Sequence, residues 1–204
     1  MKIIAVGKNY AAHAIEFDGT GEKPQEPMIF FKPDSAIIKN GKHFYLPDWM
    51  GRIDYEAEIV VRISQLGRSI PERFAHRYYD AITVGIDFTA RDMQRKAIAE
   101  GAPWALSKGF DCSAVLGEFR PVESYDIKNV DFSLTINDEA VQSANTAQLL
   151  FSVDEIIAYV SRFCTLKTGD LIFTGTPAGV APVKVGDHLR GYIGQEKVLE
   201  FRVR

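Results

Sequence analysis

The sequence predicts an α+β fold that is mostly β, a mixed sheet with few short helices. Three observations predict it. Strand-like apolar runs outnumber helical patterns. Gly- and Asp-containing turns such as Thr168-Gly169-Asp170 and Val185-Gly186-Asp187 separate the late runs. The strand–helix–strand rhythm of a doubly wound sheet is missing. The expected strands are Lys2–Val6, Met28–Phe31, Tyr55–Ile63, Ala81–Phe88, Phe132–Asn137, Leu171–Thr174, Leu189–Ile193 and Lys197–Val203. Helices are expected over Tyr10–Glu16 after Asn9, over Glu72–Tyr78 behind Pro71, over the amphipathic Ala90–Ala99, and over Val153–Phe163 with Ser152 as N-cap. Ile136-Asn137-Asp138-Glu139 suits a hairpin turn.

The bulk properties bound the function. The chain has 204 residues, enough for a substantial core, with 46% hydrophobic and 25% charged residues, an ordinary globular balance. No segment is rich enough in Pro, Gly and Ser to split it, so one domain spanning 1–204 is expected. The net charge of −3, with no basic block, excludes a phosphate-backbone clamp and hence nucleic acid as a partner. No apolar stretch approaches the ~18 residues of a membrane span. Met1–Gly7 reads as a first strand rather than a signal peptide. Cys112 and Cys164 have neither CxxC nor paired spacing and read as free thiols of a reducing compartment, which makes the cytoplasm the expected location.

The chemistry begins in Ile53-Asp54-Tyr55-Glu56-Ala57-Glu58-Ile59-Val60-Val61, where three acids fall on alternate positions of an apolar run. On one strand these carboxylates share a face, and like charges stacked there destabilise it unless something positive lies between them. A solvated edge face is the bland reading. The apolar flanks argue for a buried strand, and there a hard divalent cation with oxygen ligands fits better. A second acidic element, Val84-Gly85-Ile86-Asp87-Phe88-Thr89-Ala90-Arg91-Asp92-Met93-Gln94, ends an apolar strand at Asp87 and enters a helix with Arg91 and Gln94 on one face. Alone, Asp87 reads equally well as a helix N-cap. Lys108, in Pro103-Trp104-Ala105-Leu106-Ser107-Lys108-Gly109-Phe110-Asp111, has an apolar, aromatic setting that suits a lysine with a lowered pKa or one that stabilises a developing enolate or carboxylate; a surface lysine beside a turn is the bland reading.

Six motifs in order strongly resemble the fumarylacetoacetate hydrolase family. They are Asn9-Tyr10-x-x-His13-x-x-Glu16, Phe31-Lys32-Pro33, Asp54-Tyr55-Glu56-x-Glu58, Asp87-x-Thr89-Ala90-Arg91-Asp92-x-Gln94, Ser107-Lys108-x-Phe110-Asp111 and Thr174-Gly175-Thr176-Pro177-x-Gly179-Val180. Each is weak by itself, but six in the family's order from about Val6 to the C-terminus are specific. The compact size is most similar to the short acylpyruvase and oxaloacetate decarboxylase branch. The chain departs from a common pattern at Ile86-Asp87, where relatives often carry Asn-Asp.

The resemblance implies the family's roll-like or barrel-like mixed sheet. It also implies one Mg²⁺ or Mn²⁺ per chain on Glu56, Glu58 and Asp87, with no organic cofactor, and places Asp54 outside the ligand set. It implies Lys108 as the active-site lysine and Lys32, Arg91, Gln94 and Thr176 at the substrate, with Lys32 near the lid and Thr176 offering its hydroxyl or amide. His13 and Glu16 match a His–Glu pair on a lid of about residues 10–25, with Phe17–Pro24 expected as a disordered loop that closes on ligand. A homodimer acting on a small 2-oxo acid or dicarboxylate is implied as well.

The expected chemistry is C–C cleavage through an enolate, by hydrolysis of an acylpyruvate, by decarboxylation of oxaloacetate, or both, with the metal as Lewis acid. His13, backed by Glu16, would activate the water that only hydrolysis needs. The enzymatic alternative is an isomerase or decarboxylase of unsaturated 2-hydroxy dioates from aromatic catabolism, of the 2-hydroxyhepta-2,4-diene-1,7-dioate isomerase type. A second acidic or basic group at the distal end of the pocket would favour it, and Arg91 alone does not decide. A metal-stabilised binding protein is the non-enzymatic alternative, but it needs neither Lys108 nor the His13–Glu16 pair.

Overall fold

The computed structural model describes residues 1–19, 21–39 and 41–204, without the side chains of Phe17 and Asp18. In chain order, β1 (Ile3–Gly7) leads through α1 (Ala11–Asp18) to β2 (Met28–Lys32) and β3 (Ile37–Lys39). Then come β4 (Ile53–Tyr55), β5 (Ala57–Ile63), α2 (Glu72–Ala75), β6 (Tyr79–Asp87), β7 (Thr89–Ala90), α3 (Arg91–Glu100) and α4 (Ala105–Lys108). β8 (Ala114–Leu116), β9 (Arg120–Pro121), β10 (Asp131–Ile136), β11 (Glu139–Asn145) and α5 (Val153–Phe163) follow. β12 (Leu171–Phe173), β13 (Ala181–Pro182), β14 (His188–Ile193) and β15 (Glu196–Arg202) complete the order.

The fold is mostly β, as the sequence predicts. A large mixed sheet runs β2-β1-β12-β5-β6-β8-β3, with β9 also on β6. Its β1–β12 and β3–β8 pairs are parallel and its other pairs antiparallel. A second sheet runs β11-β10-β14-β15, and a small third one runs β13-β4-β7. Both faces of the large sheet are buried. Ile4, Val6, Ile59 and Val61 join the main core, whereas Ile3, Ala5 and Val60 join a smaller cluster with Phe173 and Ala114. This two-sided burial explains why β5 and β6 read as nearly continuous apolar runs rather than alternating ones. The main core also takes Leu134, Leu189, Leu199 and Phe201 from the second sheet. Truncating any one of these aliphatic chains to Ala would cost about 2–5 kcal/mol.

Three differences from the sequence reading matter for the site. The expected strand Tyr55–Ile63 divides at Glu56: β4 pairs with β7 and β13, whereas β5 pairs with β6 and β12. The chain therefore changes sheets at an acid, and Asp54, Glu56 and Glu58 do not stand on one uninterrupted strand. The second helix stops at Ala75 instead of Tyr78, because the backbone turns there into β6, whose Tyr79 pairs with Ile63. The first helix continues to Asp18, where Gly19 closes it in the left-handed region (φ 79°). Part of the loop expected over Phe17–Pro24 is thus helical, while Thr20 within it lies outside the described residues.

Short or polar strands escaped the sequence reading. The pair β3 and β8 has three residues each, too few to show a period. β11 is a polar strand, Glu-Ala-Val-Gln-Ser-Ala-Asn, made legible only by its pairing with β10. Their hairpin turns at Asn137 and Asp138, both at positive φ (52° and 70°), as a tight two-residue loop demands. Helix α5 has the expected bounds and a full capping box between Ser152 and Glu155. Among the described residues, no helix is long and apolar enough to cross a membrane.

Candidate active site

The pairing of β5 with β6 builds one wall. Ala57 faces Ile86 across the ladder and the Asp87 amide donates to the Glu56 carbonyl (2.8 Å), so the end of β6 meets the sheet-switching residue. Gly85 is required behind it, since a Cβ there would lie 2.7 Å from Val60 and 2.9 Å from the Val115 carbonyl oxygen. Glu56, Glu58 and Asp87, all buried, each present an oxygen within 4.8 Å of the others. Three buried cations reach this group. Lys108 Nζ donates to Glu56 Oε2 (2.7 Å) and Asp87 Oδ2 (2.9 Å). Arg91 bridges Glu56 Oε1 (2.6 Å) and Asp54 Oδ2 (2.8 Å), and Lys32 Nζ lies 2.6 Å from Asp87 Oδ1. The Thr89 hydroxyl also donates to Glu56 Oε1 (3.0 Å).

Four buried carboxylates thus face three buried cations, and the imbalance falls on Glu58. Burial opposes ionisation of Glu56, yet Lys108, Arg91 and His13 hold it well below the usual carboxylate range. Lys108 does not have the lowered pKa its apolar setting suggests: burial opposes its charge, but Asp87 and Glu56 keep its pKa above that of an ordinary lysine. Glu58 is pushed far up by burial and by the neighbouring charges of Asp87 and Glu56. It accepts the Gly175 amide (2.6 Å) and makes no ion pair among the described residues. Gly175 can present that amide because it sits at φ 101° with its Cα edge against Asn9, where a Cβ would come within 2.7 Å. A buried carboxylate without a cation is costly by several kcal/mol if ionised. An all-oxygen donor set with that deficit fits a hard divalent ion such as Mg²⁺ or Mn²⁺.

The opposite wall is α1. It brings His13 inward, buried, while Glu16 stays half-exposed with Oε2 3.9 Å from His13 Nδ1. The Glu16 carboxylate also accepts the Gly179 amide (3.2 and 3.3 Å to its two oxygens), docking the helix onto the Thr174–Gly179 loop. Burial lowers the His13 pKa, and Lys108 and Arg91 add to this against the opposing pull of Glu56 and Glu16. The imidazole is therefore neutral near pH 7, as a proton acceptor must be. Between the walls lies a cavity of about 20 Å³ lined by His13, Glu56, Glu58, Arg91, Lys108 and Thr176, among others. That is room for about one water or ion.

Most residues singled out in the sequence converge here, with two instructive differences. Lys32, expected beside the substrate near the lid, is fully buried behind Asp87. Its ammonium is enclosed by the Lys108, Phe88 and Ser113 carbonyls and the Ser113 hydroxyl. Thr176 lines the cavity, but its hydroxyl donates to the Ala57 carbonyl (2.9 Å) and accepts from Gln142 Nε2 (2.9 Å), so its single hydroxyl proton is committed. Gln94 Oε1 accepts from Arg91 Nη1 (2.5 Å), and the residue lines the cavity. Among the described residues, Asp54 pairs with Arg91 and Arg52.

Sequence reasoning missed Gln142, whose Oε1 accepts from the Ala57 amide (2.9 Å) and whose Nε2 also reaches the Pro177 carbonyl (3.0 Å). It lies on polar β11, where nothing local distinguishes it. Phe30 was missed as well. It lines the cavity, packs edge-on against Trp104 (6.0 Å between centroids), and has Lys108 Nζ 5.0 Å from its ring centre. Asn9 works as an architectural clamp, exchanging hydrogen bonds with the Phe151 backbone and donating to the Thr174 carbonyl (2.8 Å).

Known proteins resemble this chain along nearly its whole length. The family model for the fumarylacetoacetate (FAA) hydrolase C-terminal region matches residues 2–204. The chain is 38% identical to a mitochondrial oxaloacetate decarboxylase of Dictyostelium discoideum over 205 aligned positions, covering 99% of this chain and 93% of that protein. It is 37% identical to a mitochondrial oxaloacetate tautomerase of Arabidopsis thaliana, covering 99% and 90%. The crystal structure of fumarylpyruvate hydrolase from Pseudomonas aeruginosa in complex with Mn²⁺ and pyruvate superposes with a TM-score of 0.93 at 35% identity, covering 100% of this chain and 89% of that one. With its buried acids, paired lysine and histidine-bearing helix on one cavity, this chain belongs to the fumarylacetoacetate hydrolase family and is an enzyme of that family.

Proposed function

We propose that the protein is a divalent-metal-dependent enzyme that cleaves C–C bonds of small 2-oxo acids, by hydrolysis of acylpyruvates, by decarboxylation of oxaloacetate, or both. The observation that carries this reading is a buried His13 sharing one cavity with Glu56, Glu58, Arg91 and Lys108. Glu56, Glu58 and Asp87 would hold the ion, which supplies Lewis-acid polarisation and two positive charges. Those charges would offset the Glu58 carboxylate, which has no cation of its own, and favour an anionic carboxylate head.

The chain's own residues then divide the work. Arg91, the Gln94 amide and the Thr176 backbone amide would bind and orient that head. In hydrolysis His13, oriented by Glu16, takes a proton from water as the oxygen attacks the distal acyl carbonyl. The C–C bond breaks, its electron pair passes into the enolate of pyruvate, and the proton on His13 returns to the carbon. The Lys108 ammonium is the donor that stabilises the enolate charge. From oxaloacetate the same enolate forms by loss of carbon dioxide, and no water is activated. The same reading makes residues 1–204 one catalytic domain with a lid over about residues 10–25, working as a cytoplasmic homodimer.

Oxaloacetate keto–enol exchange is a second reading, favoured by the tautomerase among the relatives. It needs only the proton transfer and not the bond cleavage. One experiment separates these. Acetylpyruvate and oxaloacetate are incubated with purified protein plus Mg²⁺ or Mn²⁺, or with excess chelator, while pyruvate release and enol absorbance are followed. Metal-dependent pyruvate release establishes cleavage. Accelerated enol decay without pyruvate establishes the tautomerase instead, and the absence of both removes the 2-oxo acid reading.

A further inference from the structure

The arginine that borders the catalytic cavity is held from its far side by Asp54, an acid outside the Glu56–Glu58–Asp87 group. Arg91 opens α3, where the positive end of the helix dipole disfavours a cation, so its charge needs acids close by. Two pair with it. Glu56 Oε1 accepts from Nη2 (2.6 Å) and Asp54 Oδ2 from Nε (2.8 Å), while Nη1 donates to Gln94 Oε1 (2.5 Å). Glu56 and Gln94 are wall residues of the cavity, so the Nη edge of the guanidinium is its cavity side and Nε its rear. We propose that Asp54 is the positioning residue for Arg91. It anchors the guanidinium by Nε, so that the Nη edge keeps facing the substrate head when Glu56 serves as a metal ligand. This rests on the 2-oxo acid reading above.

The two acids differ in what else they do. Glu56 also accepts from the Thr89 hydroxyl (3.0 Å) and Lys108 Nζ (2.7 Å), and as a metal ligand it would give part of that capacity to the ion. Asp54 has no such second duty. Its side chain is 1% exposed, and its other oxygen, Oδ1, accepts from Arg52 Nε (2.6 Å). The backbone fixes the same geometry. β4 places Asp54 opposite Thr89 of β7, and the Arg91 amide donates to the Arg52 carbonyl (2.8 Å), which closes a ring through Arg52, Asp54 and Arg91. Asp92, the other acid at this end of α3, accepts the Arg52 amide on one oxygen (3.1 Å) and pairs with Arg95 on the other (3.8 Å). Arg52 is 40% exposed and Arg91 only 6%, so Asp54 ties the arginine of the site to one at the surface. A neutral amide in its place keeps one acceptor but turns a donor toward the second arginine, so it cannot hold both.

The test is a double-mutant cycle at saturating Mg²⁺ or Mn²⁺, with pyruvate as the probe of head binding and oxaloacetate as the substrate. Pyruvate binding is followed by tryptophan fluorescence, since Trp104 lines the cavity. Asp54→Asn should raise the pyruvate dissociation constant and the oxaloacetate KM about tenfold each, with kcat changed less than about threefold. Arg91→Lys keeps a charge but has no Nε–H to set on Asp54, so on that background Asp54→Asn should add less than about twofold. Asp54→Glu keeps the charge on a longer arm and should raise both constants only about threefold. It carries the same cycle if the asparagine variant does not fold. Unchanged pyruvate affinity in both Asp54 variants, or a loss as large on the Arg91→Lys background as on wild type, overturns the positioning role and leaves the 2-oxo acid reading standing. If wild type binds no pyruvate with the ion supplied, the 2-oxo acid reading itself falls and this one with it.

Discussion

The strand wall of the active site and the helix that closes it differ in how their polar groups are held. On the strand wall Glu56, Glu58 and Asp87 are buried, backed by ladder hydrogen bonds and by Arg91, Lys108 and Lys32. α1 has no side-chain N-cap and no acidic residue in its first turn, and Ile15 is 58% exposed. Its segment is held by Glu16 on the Gly179 amide and by side-chain contacts further on, Lys23 with Glu155 (2.9 Å) and Glu26 with the Tyr159 hydroxyl (3.1 Å). Exposed contacts of this kind contribute about 0–1 kcal/mol each. α5, by contrast, is fully capped and buries Ile156, Ile157 and Val160. Charges that must stay close together against their repulsion sit where the backbone is over-determined. His13, the proposed proton acceptor, rides on an element held by exposed contacts.

Breaking the strand wall should have the largest effect. Asp87→Asn leaves Lys32 and Lys108 short of a partner, so a stability loss of about 3–5 kcal/mol is expected together with loss of metal-dependent turnover. Glu56→Gln should likewise cut turnover more than about a hundredfold. Denaturant melts and assays with and without chelator check both, and turnover that survives chelation would refute a metal role.

On the lid, His13→Ala should slow acylpyruvate hydrolysis by about 10²–10⁴-fold and oxaloacetate decarboxylation much less, since only hydrolysis activates a water. Equal losses on both substrates would show that the lid histidine serves the shared step instead. Lys108→Met should slow both reactions together, because both pass through the enolate.

Titration sharpens the contrast. Glu58 keeps its proton in the folded, metal-free protein where an unfolded glutamate has lost it, so the folded state binds more protons. Metal-free stability should therefore be greatest below the ordinary glutamate pKa of about 4.3 with respect to this group, and should fall as pH rises through the raised value. Metal binding should release that proton and tighten with rising pH, which calorimetry in buffers of different ionisation enthalpy reads directly. The smallest effect should come from Lys23→Ala. It loosens the lid tether and should raise KM a few-fold while changing stability by no more than about 1 kcal/mol; an unchanged KM would detach this contact from lid closure.

Much of this was legible in the chain itself. The acids at Asp54, Glu56, Glu58 and Asp87 stood out because charge inside an apolar run demands a partner, and α5 because its periodicity and Ser152 cap are local. The longer helices and the longer apolar strands were readable for the same reason, since 3.6- and 2-residue periods are written in neighbouring residues, whereas β3, β8 and polar β11 were not. What tertiary structure alone decided was which groups neutralise which. It put Lys32 behind Asp87 rather than at the substrate, committed the Thr176 hydroxyl to Ala57, and drew Gln142 from a featureless polar strand into the site. It also broke the acidic strand at Glu56, because β4 and β5 take different partners. Sequence determines a residue's chemistry and its local period, but burial and hydrogen-bond partners come from segments tens of residues away, and those set the charge state on which the catalytic chemistry depends.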